Sequence, residues 1–450
     1  MTAICCRDCS DRVASSDLPR IRTGATKLVT RSTSSESERG APPKHELRTG
    51  VQSHPPADVC EGNTGMTSAT AWQSDYGEHE AAMVAYREAG TARAKSPDNR
   101  GPIRYEADGA LHKDIVESYW RHGFYVFEGV IGKDELADIE RDVLAILDRA
   151  PTEPRGKLDR FGRPALGADG KGGGMAMVRP LSDPIGGTAG NNGRHPAKMI
   201  EPTVPEGAPE WVLQVVGGSL QFSDAALRLY AHPDLLRVAE AFNGPDFSPF
   251  NEVIWIKHPR LGGSVAWHQD GTTHWETPKF HRGSHGFNFM AQLYGCDAAN
   301  GLWVVPGSHL AKADIKGWCA SAGSDRLPDA VPLLCAPGDV AITNRQAVHG
   351  SFANTSDACR VTLNFGFHPR ASVVGARGNG IHAPGSDKII YDEDRVRRRS
   401  QVLGLAIEAR RQRFPNETPY DYRPFAGQSF EWNDAARQSL RGYNKLDLGI

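Results

Sequence analysis

The sequence predicts a mainly β fold with flanking helices, organised as a sandwich or double-sheet jelly roll over about residues 245–370. Two observations carry this reading. Short runs rich in β-branched and aromatic residues recur through that stretch, separated by turn residues at Pro259, Gly262-Gly263, Pro306-Gly307 and Pro337-Gly338. Helical spacing, by contrast, falls on the flanks, before residue 245 and beyond residue 370.

Taken in order, the chain opens on a segment unsuited to a core. The 16 Phe, 9 Trp and 11 Tyr of the 450 residues all lie at or beyond Trp72. Residues 1–100 are rich in Ser, Thr, Arg, Gly and Pro and too poor in large apolar groups to offset their ordering entropy, so a disordered or weakly ordered tail is expected. Met66 opens a more ordinary stretch, which leaves open whether residues 1–65 are translated. Residues 101–450 are then expected to form one domain, with order beginning near Tyr105. Leu111 to Trp120 has helical spacing, Gly123 to Phe127 reads as a strand, and Leu136, Ile139, Val143 and Leu147 make one helical stripe. Residues 151–210 turn Gly- and Pro-rich, including Gly172 to Gly174 and Gly190 to Gly193, and are expected to act as a lid-like insertion. A helix over about Asp224 to Phe242 leads into the strand candidates Val253–Ile256, Gly286–Leu293, Leu302–Val305, Asp339–Ile342 and Arg360–Phe367. Residues 371–450 form a helical and aromatic extension, with the basic run Arg395 to Arg399 read as a solvated helix face.

Composition narrows the function classes. Lys+Arg number 52 against 54 Asp+Glu, so no overall charge draws the chain to nucleic acid or an anionic surface. The longest apolar runs fall far short of the roughly 20 residues of a membrane span. No apolar stretch of signal-peptide length opens the chain, and no CxxC pair occurs downstream of the cysteine cluster Cys5, Cys6, Cys9, so the cysteines read mostly as thiols of a cytoplasmic protein. A small-molecule substrate is the expected partner; the oligomeric state is left open.

The informative stretch is Trp267-His-Gln-Asp270. On an extended strand, residues i and i+2 share a face, so His268 and Asp270 can offer an imidazole nitrogen and a carboxylate oxygen to one point. A 2-His-1-carboxylate set suits Fe(II) because it occupies one face of an octahedron and leaves three positions open. His349-Gly-Ser351, followed by Arg360 at the head of a strand pattern, supplies a distant His and a guanidinium able to grip a carboxylate through two parallel hydrogen bonds.

Residues from about 105 to 370 resemble the phytanoyl-CoA dioxygenase family of Fe(II)- and 2-oxoglutarate-dependent oxygenases. The matching pieces are Trp267 to Asp270, Asn300-Gly301 with Val304 to His309, Pro337 to Val340, and His349 to Ser351 with Arg360. The resemblance implies a double-stranded β-helix (jelly-roll, cupin-like) core, with His268, Asp270 and His349 as iron ligands. It further implies Arg360 and Ser351 on the distal carboxylate of 2-oxoglutarate, with Asn251, Lys257 and Gln292 near the cosubstrate; relatives often carry an aromatic residue where Gln292 stands. The expected reaction consumes O2, releases succinate and CO2, and hydroxylates a small organic molecule, with ascorbate as a supporting reductant. Asp270 argues against halogenation, since related halogenases replace that carboxylate with a small residue to admit chloride. Two alternatives stay open: a catalytically silent jelly-roll binding or sensing protein, and a metal-dependent hydrolase built on His268, Asp270 and His274. His281 and His285 read as substrate-facing or surface groups, and His309 as structural.

Overall fold

The computed structural model describes residues 74–169, 174–271, 275, 286–378 and 389–449. From the N-terminus the elements are α1 (Glu80–Ala94), β1 (Arg100–Gly101), α2 (Lys113–His122), β2 (Phe124–Phe127), α3 (Lys133–Asp148), β3 (Met175–Val178) and β4 (Val212–Gly217). Then come α4 (Asp224–Tyr230), α5 (Pro233–Asn243), β5 (Phe247–Lys257), β6 (Val265–His268), β7 (Phe287–Gln292), β8 (Trp303–Val304) and α6 (Ile315–Ala322). The chain continues with β9 (Val331–Pro332), β10 (Val340–Asn344), β11 (His349–Ser351), β12 (Arg360–Pro369), α7 (Arg370–Val373), α8 (Glu393–Arg413) and α9 (Asp434–Ser439).

The strands make two sheets that do not close on one another. One has the order β1-β2-β10-β7-β12-β5-β4-β3, and the other β6-β11-β8-β9. This is the mainly β, jelly-roll architecture the sequence predicts. Strand alternation divides the large sheet into two unlike faces. Ile254, Phe289, Ile342, Val361, Leu363 and Phe365 point outward into the main apolar core, where α2–α5 and α8 cover them. Their neighbours in sequence, among them Val253, Asn288, Gln292, Arg360, Thr362 and Asn364, face a cavity of about 450 Å3. The opposite wall of that cavity carries Val265 and His268 of β6 and His349 and Ser351 of β11.

Local chemistry explains the boundaries. Gly123 ends α2 with φ 82°, and a Cβ there would meet His309 Nδ1 at 2.5 Å, so only glycine lets the chain turn beneath that ring. His309 Nε2 in turn lies 3.1 Å from the Trp120 carbonyl oxygen, a structural placement. The single helix expected over 224–242 is two, because Pro233 lacks the N–H a continuing helix needs and starts a new one.

Order begins earlier than the expected tail boundary near residue 100. Residues 80–94 form α1, which buries Met83 and stacks Tyr86 on Trp303 with ring centroids 4.5 Å apart. Gly90 permits this approach, since a Cβ would meet the indole at 2.3 Å. The stripe of Met83, Tyr86, Gly90 and Ala94 is too narrow to stand out from a polar background. Residues 1–73, most of the expected tail, lie outside the described residues.

Within the expected lid, residues 175–178 are instead the edge strand β3, paired antiparallel with β4. Asp159 anchors the preceding loop by accepting from Arg149 and Arg163. The solvated-face reading of Arg395 to Arg399 fails at Arg399, which is buried and paired to Glu252 at 3.0 Å. No described helix is long and apolar enough to cross a membrane. Cys296, Cys319 and Cys335 are free, whereas Cys359 is disulfide-bonded, against the expectation of thiols.

Candidate metal centre

Residues 268 and 349 are direct partners in the antiparallel register of β6 and β11, so their imidazoles leave adjacent strands on the cavity side. Asp270 follows two residues later, fixed by its backbone N–H donating to the Arg345 carbonyl at 2.9 Å. Gln269 between them points away. Its amide donates to the carbonyls of Ser308, Ala311 and Gln346 and its carbonyl accepts from Ala313 N, which bolts the end of β6 to the surrounding loops.

Ligand-capable atoms of His268, Asp270 and His349 lie within 4.8 Å of one another. His268 Nε2 is 3.9 Å from Asp270 Oδ1, and His349 Nε2 is 4.0 Å from Asp270 Oδ2. Each Nδ1 faces a carbonyl two residues back in its own strand, Ala266 at 2.8 Å and Ala347 at 2.9 Å. An Nδ1–H donated to those carbonyls leaves the Nε2 lone pairs free toward the shared point, the tautomer a metal requires. Burial depresses both imidazole pKa values, which keeps them neutral. Burial would raise the Asp270 carboxyl, yet the charges of Arg194 and Arg345 outweigh it and hold the group well below the usual carboxylate range. Two neutral imidazoles and one carboxylate form a donor set that fits Fe(II).

The cosubstrate candidates divide. Arg360 is buried on the cavity wall, with Nη1 donating to the Asn300 carbonyl at 3.0 Å and Nε without a partner. Ser351 Oγ, on the opposite wall of the cavity, is likewise buried and without a partner among the described residues. Gln292 lines the cavity too, its Oε1 accepting from Thr362 Oγ1 at 2.9 Å. Lys257 does not belong with them. Val253 and Trp255, on its face of β5, line the cavity, but Lys257 lies past the cavity's end and donates to the Phe352 carbonyl. Burial pushes its ammonium pKa well down, with the Arg360 charge adding to the effect. Asn251 sits on β5, and its side chain is outside the described residues. The same holds for His274, His281 and His285.

Three groups at the site escape sequence reasoning. Arg194 Nη1 is 2.8 Å from Asp270 Oδ1, and the fully buried Arg345 brings Nε to 4.0 Å from Oδ2 while lying over the Phe250 ring. His195 packs edge-on against His268, with ring centroids 4.1 Å apart. Arg194 and His195 come from the aperiodic insertion, where nothing local signals a destination. Arg345 stands four residues before His349, on the same turn into β11, which was the one available hint.

Residues 215–362 match the phytanoyl-CoA dioxygenase (PhyH) family model. This stretch belongs to that family of non-haem Fe(II)- and 2-oxoglutarate-dependent oxygenases. The PhyH match contains all three residues of the His-Asp-His cluster, and Ser351 and Arg360 as well. Among solved structures, AviO1 from Streptomyces viridochromogenes Tue57 is 22% identical, covering 57% of this chain and 94% of that one, at TM-score 0.39. The α-ketoglutarate-dependent epimerase SnoN from nogalamycin biosynthesis is 19% identical over 60% and 84% of the two chains, at 0.39. EctD from S. alaskensis, solved with 2-oxoglutarate and 5-hydroxyectoine, is 18% identical over 60% and 80%, at 0.40. These likenesses are too distant to carry a functional reading. No curated protein matches.

Proposed function

We propose that the chain hydroxylates a small organic molecule, with His268, Asp270 and His349 holding Fe(II) and with 2-oxoglutarate converted to succinate and CO2. When bound, the iron supplies oxygen activation coupled to decarboxylation of the cosubstrate. Everything else falls to the chain's own side chains. The carbonyls of Ala266 and Ala347 orient the two imidazoles. Arg360 and Ser351 take the distal carboxylate of 2-oxoglutarate, which satisfies two buried polar atoms that otherwise lack partners. The Gln292–Thr362 pair borders that pocket, and the apolar residues of β4 and β5 exclude water from it. A cytoplasmic location belongs to the same reading, and the disulfide at Cys359 counts against it.

The observation that carries this proposal is the pairing, across one cavity, of a His-Asp-His cluster with a buried guanidinium whose Nε lacks a partner among the described residues. Purified protein supplied with Fe(II), ascorbate and 2-oxoglutarate should form succinate, slowly even without substrate. Retention of zinc with no succinate formed would instead support a hydrolase, and no metal-dependent turnover of any kind a binding protein.

A further inference from the structure

Resting on the oxygenase reading, the charges around the cavity specify the substrate more closely. Among the described residues lining it, Arg194, Arg345 and Arg360 face a single carboxylate, Asp270. From outside the lining, buried Asp447 also acts on Arg345. Fe(II) and doubly charged 2-oxoglutarate cancel one another, so among the described residues loading the site leaves one positive charge unmatched. The position of that charge follows from the contacts. Arg360 meets the cosubstrate, and Arg345 keeps Asp447 and the Oδ2 side of Asp270. Among the described residues Arg194 pairs with Asp270 Oδ1 alone, at 2.8 Å, and a dication held by that carboxylate would weaken the pair and repel the guanidinium. Its Nε is already without a partner. A guanidinium whose side chain is only 11% exposed and whose Nε is buried, once stripped of its carboxylate, is best satisfied by another anion.

We propose that Arg194 is the subsite for a single negative charge on the substrate, so that the enzyme takes organic monoanions, a carboxylate, a phosphate diester or a sulfate ester. The apolar body of such a molecule would lie against Met175, Ala176, Val215 and Trp255, which line the same cavity on β3, β4 and β5. Arg194 thus has two roles in succession: it neutralises Asp270 while the metal is away, and it selects substrate once the metal is in.

The test is isothermal titration of the full-length protein, loaded with Mn(II) as a stand-in for Fe(II) and saturated with 2-oxoglutarate. The probes are hexanoate, hexyl methyl phosphate (a singly charged diester) and 1-hexanol. At least one anion should bind about tenfold or more tightly than the alcohol, and which anion does so distinguishes carboxylate from phosphate recognition. Arg194→Gln should abolish that preference while Mn(II) still binds, and Arg194→Lys should restore part of it. Equal binding of alcohol and anions by the wild type would overturn the proposal, as would an anion preference that survives Arg194→Gln. Weakened Mn(II) binding in Arg194→Gln with the preference intact would make Arg194 a positioning residue for Asp270. Failure of the wild type to bind Mn(II) at all would sink the oxygenase reading itself, a result separable from loss of anion preference alone.

Discussion

The two faces of the large sheet are built from alternating residues of the same strands, yet they obey opposite rules. On the outer face, Phe289 packs on Phe365 at 5.5 Å between centroids, and the positions around them are apolar apart from Glu252, which stands opposite Phe365 and is paired to buried Arg399. On the inner face the same strands bury Asn288, Gln292, Arg360 and Thr362. Buried polar groups cost stability unless they are paired, and among the described residues Arg360 Nε and Asn288 Oδ1 are not. The outer face therefore stabilises the fold, while the inner face keeps unmet hydrogen-bonding capacity that a ligand can use.

That contrast can be broken by substitution on either side. Asp270→Ala should abolish succinate formation, a loss of more than about a hundredfold, while thermal unfolding still shows one cooperative transition; normal turnover would remove Asp270 from the site. Phe365→Ala, on the other face, should lower stability by about 3–5 kcal/mol in denaturant titration, with any surviving folded fraction keeping its affinity for 2-oxoglutarate. Arg360→Ala should raise the 2-oxoglutarate concentration needed for half-maximal turnover by about thirtyfold or more, with a much smaller change in unfolding midpoint. An unchanged requirement would assign Arg360 a packing role. Gln292→Ala frees Thr362 and should change the same requirement by less than Arg360→Ala does. The smallest effect on turnover is expected from deleting residues 1–65, which should leave it within error of the full chain.

Much of this contrast was legible in the sequence, because period-two alternation in Arg360 to Phe367 and Gly286 to Leu293 encodes both faces at once. The pair at 268 and 270 was legible for the same reason. Very short strands were not: β8 and β9 span two residues each and β11 three, too few to establish a period. Lys257 shows the limit of alternation, which fixes the face of a strand and not how far a cavity extends along it. Arg194 and Arg345 mark a different limit. Their meaning depends on meeting Asp270 in space; the neighbours of Arg194 in sequence say nothing of that meeting, and those of Arg345 offer only the closeness of His349.

The central claim is that ligands from two separate stretches of chain hold one ferrous ion. Anaerobic equilibrium dialysis of the full-length protein against Fe(II), with and without 2-oxoglutarate, measures this directly. One iron per chain, bound more tightly in the presence of 2-oxoglutarate and lost in His349→Ala, is the predicted result. Iron binding unaffected by His349→Ala would contradict the account.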